Sequence, residues 1–155
     1  MTDHVTDHET LLNDLQPGKM IRLTGGGTIL RQQDGSLLYS HDDHEREVSK
    51  ADALTILTDH DVVLFRYWLD DILALFPYLV GDPDPSTCMS YQHVGQHGAA
   101  AFNAMLDDSR PATPEEYADL QTELESMEYE LAIVEDVHRN KAYVSRHRQL
   151  RELSV

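Results

Sequence analysis

The chain has 155 residues, of which 41% are hydrophobic, enough to bury a core within one domain of ordinary size. Its formal net charge is −16, with 28 Asp and Glu against 12 Lys and Arg. A chain this acidic is not expected to bind nucleic acid through a general electrostatic footprint, and anionic membranes should repel it.

Three features bear on the compartment. Cys88 is the only cysteine, so an intrachain disulfide is impossible, and the N-terminal sequence MTDHVTDHETLL lacks the basic and apolar regions of a secretory signal. The longest apolar stretch, residues 61–80, is interrupted by Arg66, Asp70 and Asp71, and is therefore too charged to span a bilayer. We expect a cytoplasmic protein.

The N-terminal part begins with a short predicted helix over residues 6–16, which Pro17-Gly18 closes. Alternating apolar residues separated by glycine-containing turns then predict a three-stranded meander. Its strands are expected at residues 20–23, 28–31 and 36–40.

The middle of the chain carries the main apolar pattern. Residues 40–47 are polar and are expected to form a solvated loop, and Ser49 is a candidate cap for the helix that follows. Residues 61–79 repeat apolar side chains at helical spacing and predict a long core helix that Pro77 should end or kink. The alternative is a strand over 61–67 followed by a helix over 69–79.

The C-terminal part starts after a Pro- and Asp-rich linker, residues 81–87. Residues 88–94 suit a strand, whereas 99–106 fit either a helix or a returning strand. The sequence Thr113-Pro114-Glu115-Glu116 is a capping box that predicts a helix beginning there. A strand over 129–137 and a basic final helix follow.

Together these elements predict an α+β fold in which a small antiparallel sheet packs with helices. The sheet would combine the N-terminal three-stranded meander with the C-terminal strands. Residues 1–80 would form a meander-plus-helix unit and residues 88–155 a β-α-β unit with a basic C-terminal helix, joined by the linker 81–87. A single domain over 1–155 is the alternative.

Two groups of side chains are candidate metal ligands. Cys88, His93 and His97 form one group, but strand alternation separates Cys88 from His93, and neighbouring glycines disfavour a helix that would pair the histidines. His41 and His44 lie in an acidic segment suited to weak chelation. No catalytic or nucleotide-binding motif is present, so the sequence favours binding over catalysis, and we expect no cofactor.

The charge is unevenly distributed along the chain. Residues 113–136 contain nine acidic residues and no Lys or Arg, whereas residues 137–155 carry a net charge of +4. The basic C-terminal segment either folds back onto the acidic residues of the same chain or binds a different partner. The acidic residues predicted to bind a partner are Asp107, Asp108, Glu115, Glu116, Asp119, Glu123, Glu125 and Glu128.

We therefore expect a small acidic interaction protein that engages a basic partner surface, such as that of a nucleic-acid-binding protein. The most specific form of this hypothesis is a nucleic-acid mimic, like the phage or mobile-element anti-defence (anti-CRISPR-like) inhibitors. This analogy rests on size and charge. One alternative is a metal-binding or metal-dependent protein that uses the histidine-rich segments. A second is a housekeeping domain whose acidity is salt adaptation.

Overall fold

The computed structural model describes residues 6–92 and 96–153. The helices are α1 (Asp7–Asp14), α2 (Lys50–Leu57), α3 (Phe102–Asp108), α4 (Pro114–Ser126) and α5 (Arg139–Leu153). The strands are β1 (Met20–Leu23), β2 (Thr28–Arg31), β3 (Leu37–His41), β4 (His44–Val48), β5 (Asp61–Trp68), β6 (Asp71–Val80), β7 (Thr87–Gln92), β8 (Gln96–Ala101), β9 (Arg110–Pro111) and β10 (Leu131–Ile133).

The N-terminal meander has four strands, not the predicted three. The first three lie where the alternating pattern places them, but the segment expected to be a solvated loop forms β4, which pairs with β3 through His41 and His44. Four of the five residues of β4 are exposed, so its sequence carries no apolar alternation that could have identified a strand. α2 begins as predicted, because the Ser49 side chain accepts a hydrogen bond from the Asp52 amide.

The predicted long helix over 61–79 is wrong, because this segment forms the β5–β6 hairpin. Leu69 and Asp70 form its turn, and both have positive φ, as in the two-residue type I′ turns that join twisted strands. Both faces of these strands are covered by other elements, so the core-facing run is continuously apolar and also fits helical spacing. Of the alternative, the strand over 61–67 is confirmed and the helix over 69–79 is wrong. Pro77 lies in an irregular part of β6, between residues Phe76 and Val80.

The strands form one ten-stranded, mostly antiparallel sheet, so the fold is mixed α+β and the sheet is larger than predicted. Its order is β4-β3-β2-β1-β10-β5-β6-β7-β8, and β9 pairs with β5. β10 lies between β1, to which it is antiparallel, and β5, to which it is parallel. This short strand therefore joins the N-terminal meander to the rest of the sheet.

Two hydrophobic clusters pack on the two faces of this sheet. One contains the buried side chains of α1, α2, α3 and α5, among them Leu12, Leu57 and Phe102. The other contains Tyr117, Leu120 and Leu124 of α4. α4 is thus the helix that covers the second face within the described part of the chain.

The segment between β6 and β7 is held by local and long-range hydrogen bonds. The Asp82 carboxylate accepts from the Asp84 amide and from the Thr87 hydroxyl. Pro85 contributes its carbonyl to the Arg146 guanidinium, at 2.8 Å from Nε. The segment predicted to be a linker therefore contacts α5. Whether the chain divides into two units there stays a prediction.

Two C-terminal details refine the predictions. Both expectations for residues 99–106 hold in part, since β8 continues to Ala101 and α3 begins at Phe102. The strand predicted over 129–137 is confined to Leu131–Ile133. Among the described residues, no helix has the length and apolar character needed to cross a membrane.

Candidate functional site

The acidic segment predicted to bind a partner is centred on α4. The predicted capping box is confirmed: the Thr113 hydroxyl accepts from the Glu116 amide, and the Glu116 carboxylate accepts from the Thr113 amide at 2.9 Å. Tyr117, Leu120 and Leu124 turn inward and anchor the helix. The opposite side of α4 is therefore presented to solvent.

Three of the eight predicted acidic residues are engaged by side chains from outside their own helix, and Glu116 is the most constrained. Its two carboxylate oxygens accept hydrogen bonds from Nη1 and Nη2 of Arg110 at 2.8 and 2.7 Å. This bidentate contact, together with the Thr113 amide, lowers the pKa of Glu116 to about 2. Glu116 is thus occupied in fixing the start of α4.

Glu123 and Asp107 are the other two engaged carboxylates. Glu123 accepts a hydrogen bond from the Tyr91 hydroxyl on β7, which ties the side of α4 to the sheet. Asp107, at the end of α3, pairs with Arg139 at 3.0 Å. Both carboxylates therefore meet donors of the same chain.

The remaining five residues are more available. Asp108, Glu115, Asp119 and Glu128 are exposed, and none has an ion pair with another described residue. Glu125 is half-buried and accepts from the Gln121 amide at 3.0 Å. Four of the five lie on α4 or directly after it, and we call these the acidic face: Glu115, Asp119, Glu125 and Glu128.

The cysteine and histidines predicted as one candidate metal group do not converge in the described part of the chain. Cys88 pairs with Ala100 and belongs to the first core cluster, whereas His97 pairs with Tyr91 of the second. The two side chains therefore point to opposite faces of the sheet. Burial raises the pKa of the Cys88 thiol to about 12, which disfavours a thiolate ligand or nucleophile. His93 lies outside the described residues.

The second candidate metal group lies at the exposed tip of the meander. His41 and His44 are cross-strand partners at the β3–β4 turn, and His41 Nδ1 lies 3.2 Å from an Asp42 carboxylate oxygen. Within residues 6–92 and 96–153, no group of three or more His, Cys, Asp or Glu side chains is arranged to hold a metal ion. The metal-binding alternative gains no supporting geometry from these residues.

A separate cleft lies beside β5, at the point where its neighbouring strand changes from β10 to β9. β10 pairs with β5 as far as Val63, and β9 pairs with β5 from Arg66 onward, so β10 and β9 diverge between these two positions. The resulting cavity of about 790 Å³ lies beyond the carboxyl end of β10 and beside Phe65 and Arg66 in the middle of β5. Its volume is within the range common for ligand sites.

Arg66 is the most buried cation in the cleft wall, with 8% of its surface exposed. Its Nε donates to the Ser109 hydroxyl, and Nη2 donates to the carbonyls of Leu106 and Ser109 at 3.1 and 2.8 Å. Burial lowers its pKa, and the Asp136 carboxylate counteracts this effect. Nη1 has no hydrogen-bond partner among the described residues.

Arg66 is not among the functional residues predicted from the sequence, where its charge serves only as evidence against a membrane span. The usable signal was a charged residue inside the apolar run DVVLFRYW, because a cation at a buried strand position must have partners.

The basic C-terminal helix folds back onto acidic residues of the same chain. Lys141 contacts both carboxylate oxygens of Asp14 at 2.9 and 3.0 Å, and Arg139 pairs with Asp107. These pairs favour the first of the two interpretations of the basic end. They leave the acidic face on α4 without cations from α5.

Comparisons of the chain with protein-family models, with curated proteins and with solved structures each give no match.

Proposed function

We propose that the protein is a small acidic interaction protein that engages a basic partner surface through the acidic face of α4. The observation that carries the proposal is the contrast among its carboxylates. Asp107, Glu116 and Glu123 meet donors of the same chain, whereas Glu115, Asp119 and Glu128 remain exposed and without ion pairs among the described residues.

The spacing of the acidic face suits a surface that normally meets phosphates. Glu115 and Asp119 are four residues apart, so they lie about 6 Å apart along the helix axis, and the helix from Glu115 to Glu125 is about 15 Å long. One DNA strand carries about four phosphates over the same length. A nucleic-acid-mimicking inhibitor, such as an anti-defence protein of a phage or mobile element, is the specific form of the proposal.

The position of the basic residues supports the same assignment. No Lys or Arg occurs between Arg110 and Arg139, so α4 itself contains no Lys or Arg. α5 packs with the first core cluster and α4 with the second, so the two helices lie on opposite sides of the sheet. The negative potential of the acidic face is therefore not cancelled by the basic helix.

Salt adaptation is the competing explanation for this surface. In that case the carboxylates would serve hydration in concentrated salt, and folding would depend on salt over the whole molecule. Unfolding in urea at low and high salt separates the two explanations. A protein that stays folded at low salt supports the binding role, and one that unfolds there supports adaptation.

A direct test compares two variants that lose the same three charges. Glu115→Gln/Asp119→Asn/Glu128→Gln removes charge from the acidic face, and Asp42→Asn/Asp43→Asn/Glu45→Gln removes it from the exposed β3–β4 hairpin. The probe is a fluorescent octa-arginine peptide titrated at several salt concentrations. We expect the acidic-face variant to bind at least about tenfold more weakly, a loss of about 1.4 kcal/mol, and the hairpin variant to stay within about twofold of the parent protein, because Coulomb attraction depends on distance.

Equal losses in both variants would show that only net charge matters, and affinity that does not change with salt would rule out a charge-based interface. The same two variants then serve as baits in a pull-down from the native host, washed at two salt concentrations. A partner relevant to the proposal is retained by the hairpin variant, is lost with the acidic-face variant, and is prevented by the parent protein from binding nucleic acid.

A further inference from the structure

The two outer strands of the sheet differ in how they are protected against pairing with another chain. Among the described residues, β4 and β8 lie at the two ends of the strand order. β4 exposes Glu45, Arg46 and Glu47, and charged side chains on an outer strand are a common barrier to such pairing. β8, with the sequence QHGAAA, has no Asp, Glu, Lys, Arg or Pro, and its register with β7 runs without a bulge. β8 therefore lacks these barriers.

The backbone of β8 has hydrogen-bonding groups that point away from β7. The ladder between the two strands continues with a hydrogen bond from the Phe102 amide to the Ser86 carbonyl at 3.1 Å. Hydrogen-bonded pairs alternate along an antiparallel ladder, so the N–H and C=O groups of His97 and Ala99 point outward. Both residues are exposed, and no described residue forms a backbone hydrogen bond with them on that side. A further strand can therefore pair there.

The absence of charge extends well beyond β8. No Asp, Glu, Lys or Arg occurs between Asp84 and Asp107, in a chain of which 26% is charged. Asn103 and Ala104, in the helix that directly follows β8, are exposed and uncharged. Two molecules that each carry a net charge of −16 repel one another over most of their surfaces. This region is where a second copy meets the least repulsion, whereas a basic partner would be attracted to the acidic surfaces elsewhere.

We propose that the protein forms a dimer in which β8 pairs antiparallel with β8 of a second copy, so that the sheet continues across a twofold axis. Ala99 lies opposite Ala99 of the partner subunit, because this register brings together the outward backbone groups of both strands. The same strand contributes both sides of the interface, as a twofold dimer requires. The proposal goes beyond partner binding by α4, since it concerns a different surface and a different occupant.

This arrangement keeps the two acidic faces apart. The twofold axis is perpendicular to the sheet, so both copies of α4 lie on the same side of it. α4 packs near β6, and the two copies of β6 are separated by five strand spacings of about 4.8 Å, or about 24 Å. This distance exceeds the Debye length of about 8 Å at 0.15 M salt but not that of about 30 Å at 0.01 M. Dimerisation should therefore strengthen as salt rises, whereas binding of a basic partner to the acidic face should weaken.

The test is sedimentation equilibrium of the full chain over a range of concentrations, at about 0.01 M and about 0.15 M salt. We expect the mass to rise with concentration from 17.6 kDa toward twice that value, and to do so more readily at the higher salt. Hydrogen exchange followed by NMR then locates the interface. The amides of His97 and Ala99 should become protected as the dimer forms, whereas those of Gly98 and Ala100, which bond to β7, should be protected at every concentration.

Substitutions at Gly98 test the need for an uncharged strand. Gly98 is exposed, and a Cβ atom added there has Ser90 Oγ as its nearest neighbour at 3.7 Å, so a side chain fits. Gly98→Glu places two carboxylates roughly 8 Å apart across the axis and should weaken dimerisation about fivefold. The uncharged control, Gly98→Gln, should stay within about twofold of the parent protein. Mixing the Gly98→Glu and Gly98→Lys variants should restore association, because the paired charges are then opposite.

A chain that stays monomeric up to millimolar concentration at the higher salt overturns the proposal. So does a dimer in which the His97 and Ala99 amides exchange as fast as in the monomer, or one that Gly98→Gln weakens as much as Gly98→Glu. If a different protein, and not a second copy, protects these amides, β8 has another occupant and the proposal is also overturned. The substitutions on the acidic face of α4 should not weaken dimerisation, so failure of this proposal and failure of the partner-binding proposal are distinguishable.

Discussion

Gly81 and Gly98 allow a paired test of how the segment after β6 packs. A Cβ atom added at Gly81 would lie 2.5 Å from the Cys88 carbonyl oxygen and 2.8 Å from Ala99 Cα, and both of these are backbone atoms. A Cβ added at Gly98 would have Ser90 Oγ as its nearest neighbour, at 3.7 Å, which is an ordinary contact. The same substitution should therefore have opposite effects at the two positions.

Gly81→Ala requires two backbone segments to separate by more than half an ångström, and overpacking of this kind costs about 1–3 kcal/mol. Gly98→Ala lies in β8, where alanine is favoured over glycine by about 0.5–1 kcal/mol through lower unfolded-state entropy. For a chain of this size, each kcal/mol shifts the melting temperature by roughly 2–4 °C. The two variants should thus melt on opposite sides of the parent protein.

Urea unfolding followed by circular dichroism measures both variants under one set of conditions. If Gly81→Ala is as stable as the parent protein or more so, the contact with β7 and β8 does not hold in solution. In that case residues 81–87 behave as a linker, and the division into units 1–80 and 88–155 is supported. A loss at Gly81 with a gain at Gly98 supports a single folded body.

Two further predictions concern titratable groups. The pKa of Glu116 is lowered to about 2 in the folded protein, so its contact with Arg110 stabilises the fold above the unfolded-state pKa near 4.5 and is lost as pH falls toward about 2. The stability difference between the parent protein and Glu116→Gln in urea should therefore shrink between pH 5 and pH 2, and a difference independent of pH would contradict this role. Cys88 is fully buried and the pKa of its thiol is raised to about 12, so a thiol reagent at pH 8 should label the native protein only as fast as it unfolds. Labelling within minutes under native conditions, with no acceleration in urea, would refute this burial.

Local chemistry was the part of the fold that the sequence could predict. Thr113 and Ser49 were recognised as caps because capping needs only residues within one turn. The first three meander strands were placed correctly because glycine-containing turns separate alternating segments. In contrast, β5 and β6 were predicted as a helix because side chains buried on both faces of a sheet leave no period-two pattern.

The candidate sites also combine features that the sequence shows with features that only the fold creates. The acidic composition of α4 was visible in the sequence, but the engagement of Glu123 by Tyr91 depends on residues that are distant in the chain. The same applies to Arg66, whose partners Leu106 and Ser109 are brought to it by the fold. The cleft itself depends on the pairing of β10 with β5, and no local pattern in the sequence specifies that pairing.

The central position of β10 has a consequence for biosynthesis. Ile133 pairs with Arg22 on one side and with Val63 on the other, so the sheet can close only after residues 131–133 have left the ribosome. Until then the nascent chain carries two half-sheets, and the edges of β1 and β5 that face the missing strand have unpaired backbone groups. Such edges can pair with another chain, and closing two long loops slows folding. We therefore expect truncation before β10 to yield aggregates. During synthesis of the full sequence, correct folding should require β10 to insert between β1 and β5 before their open edges pair with another molecule.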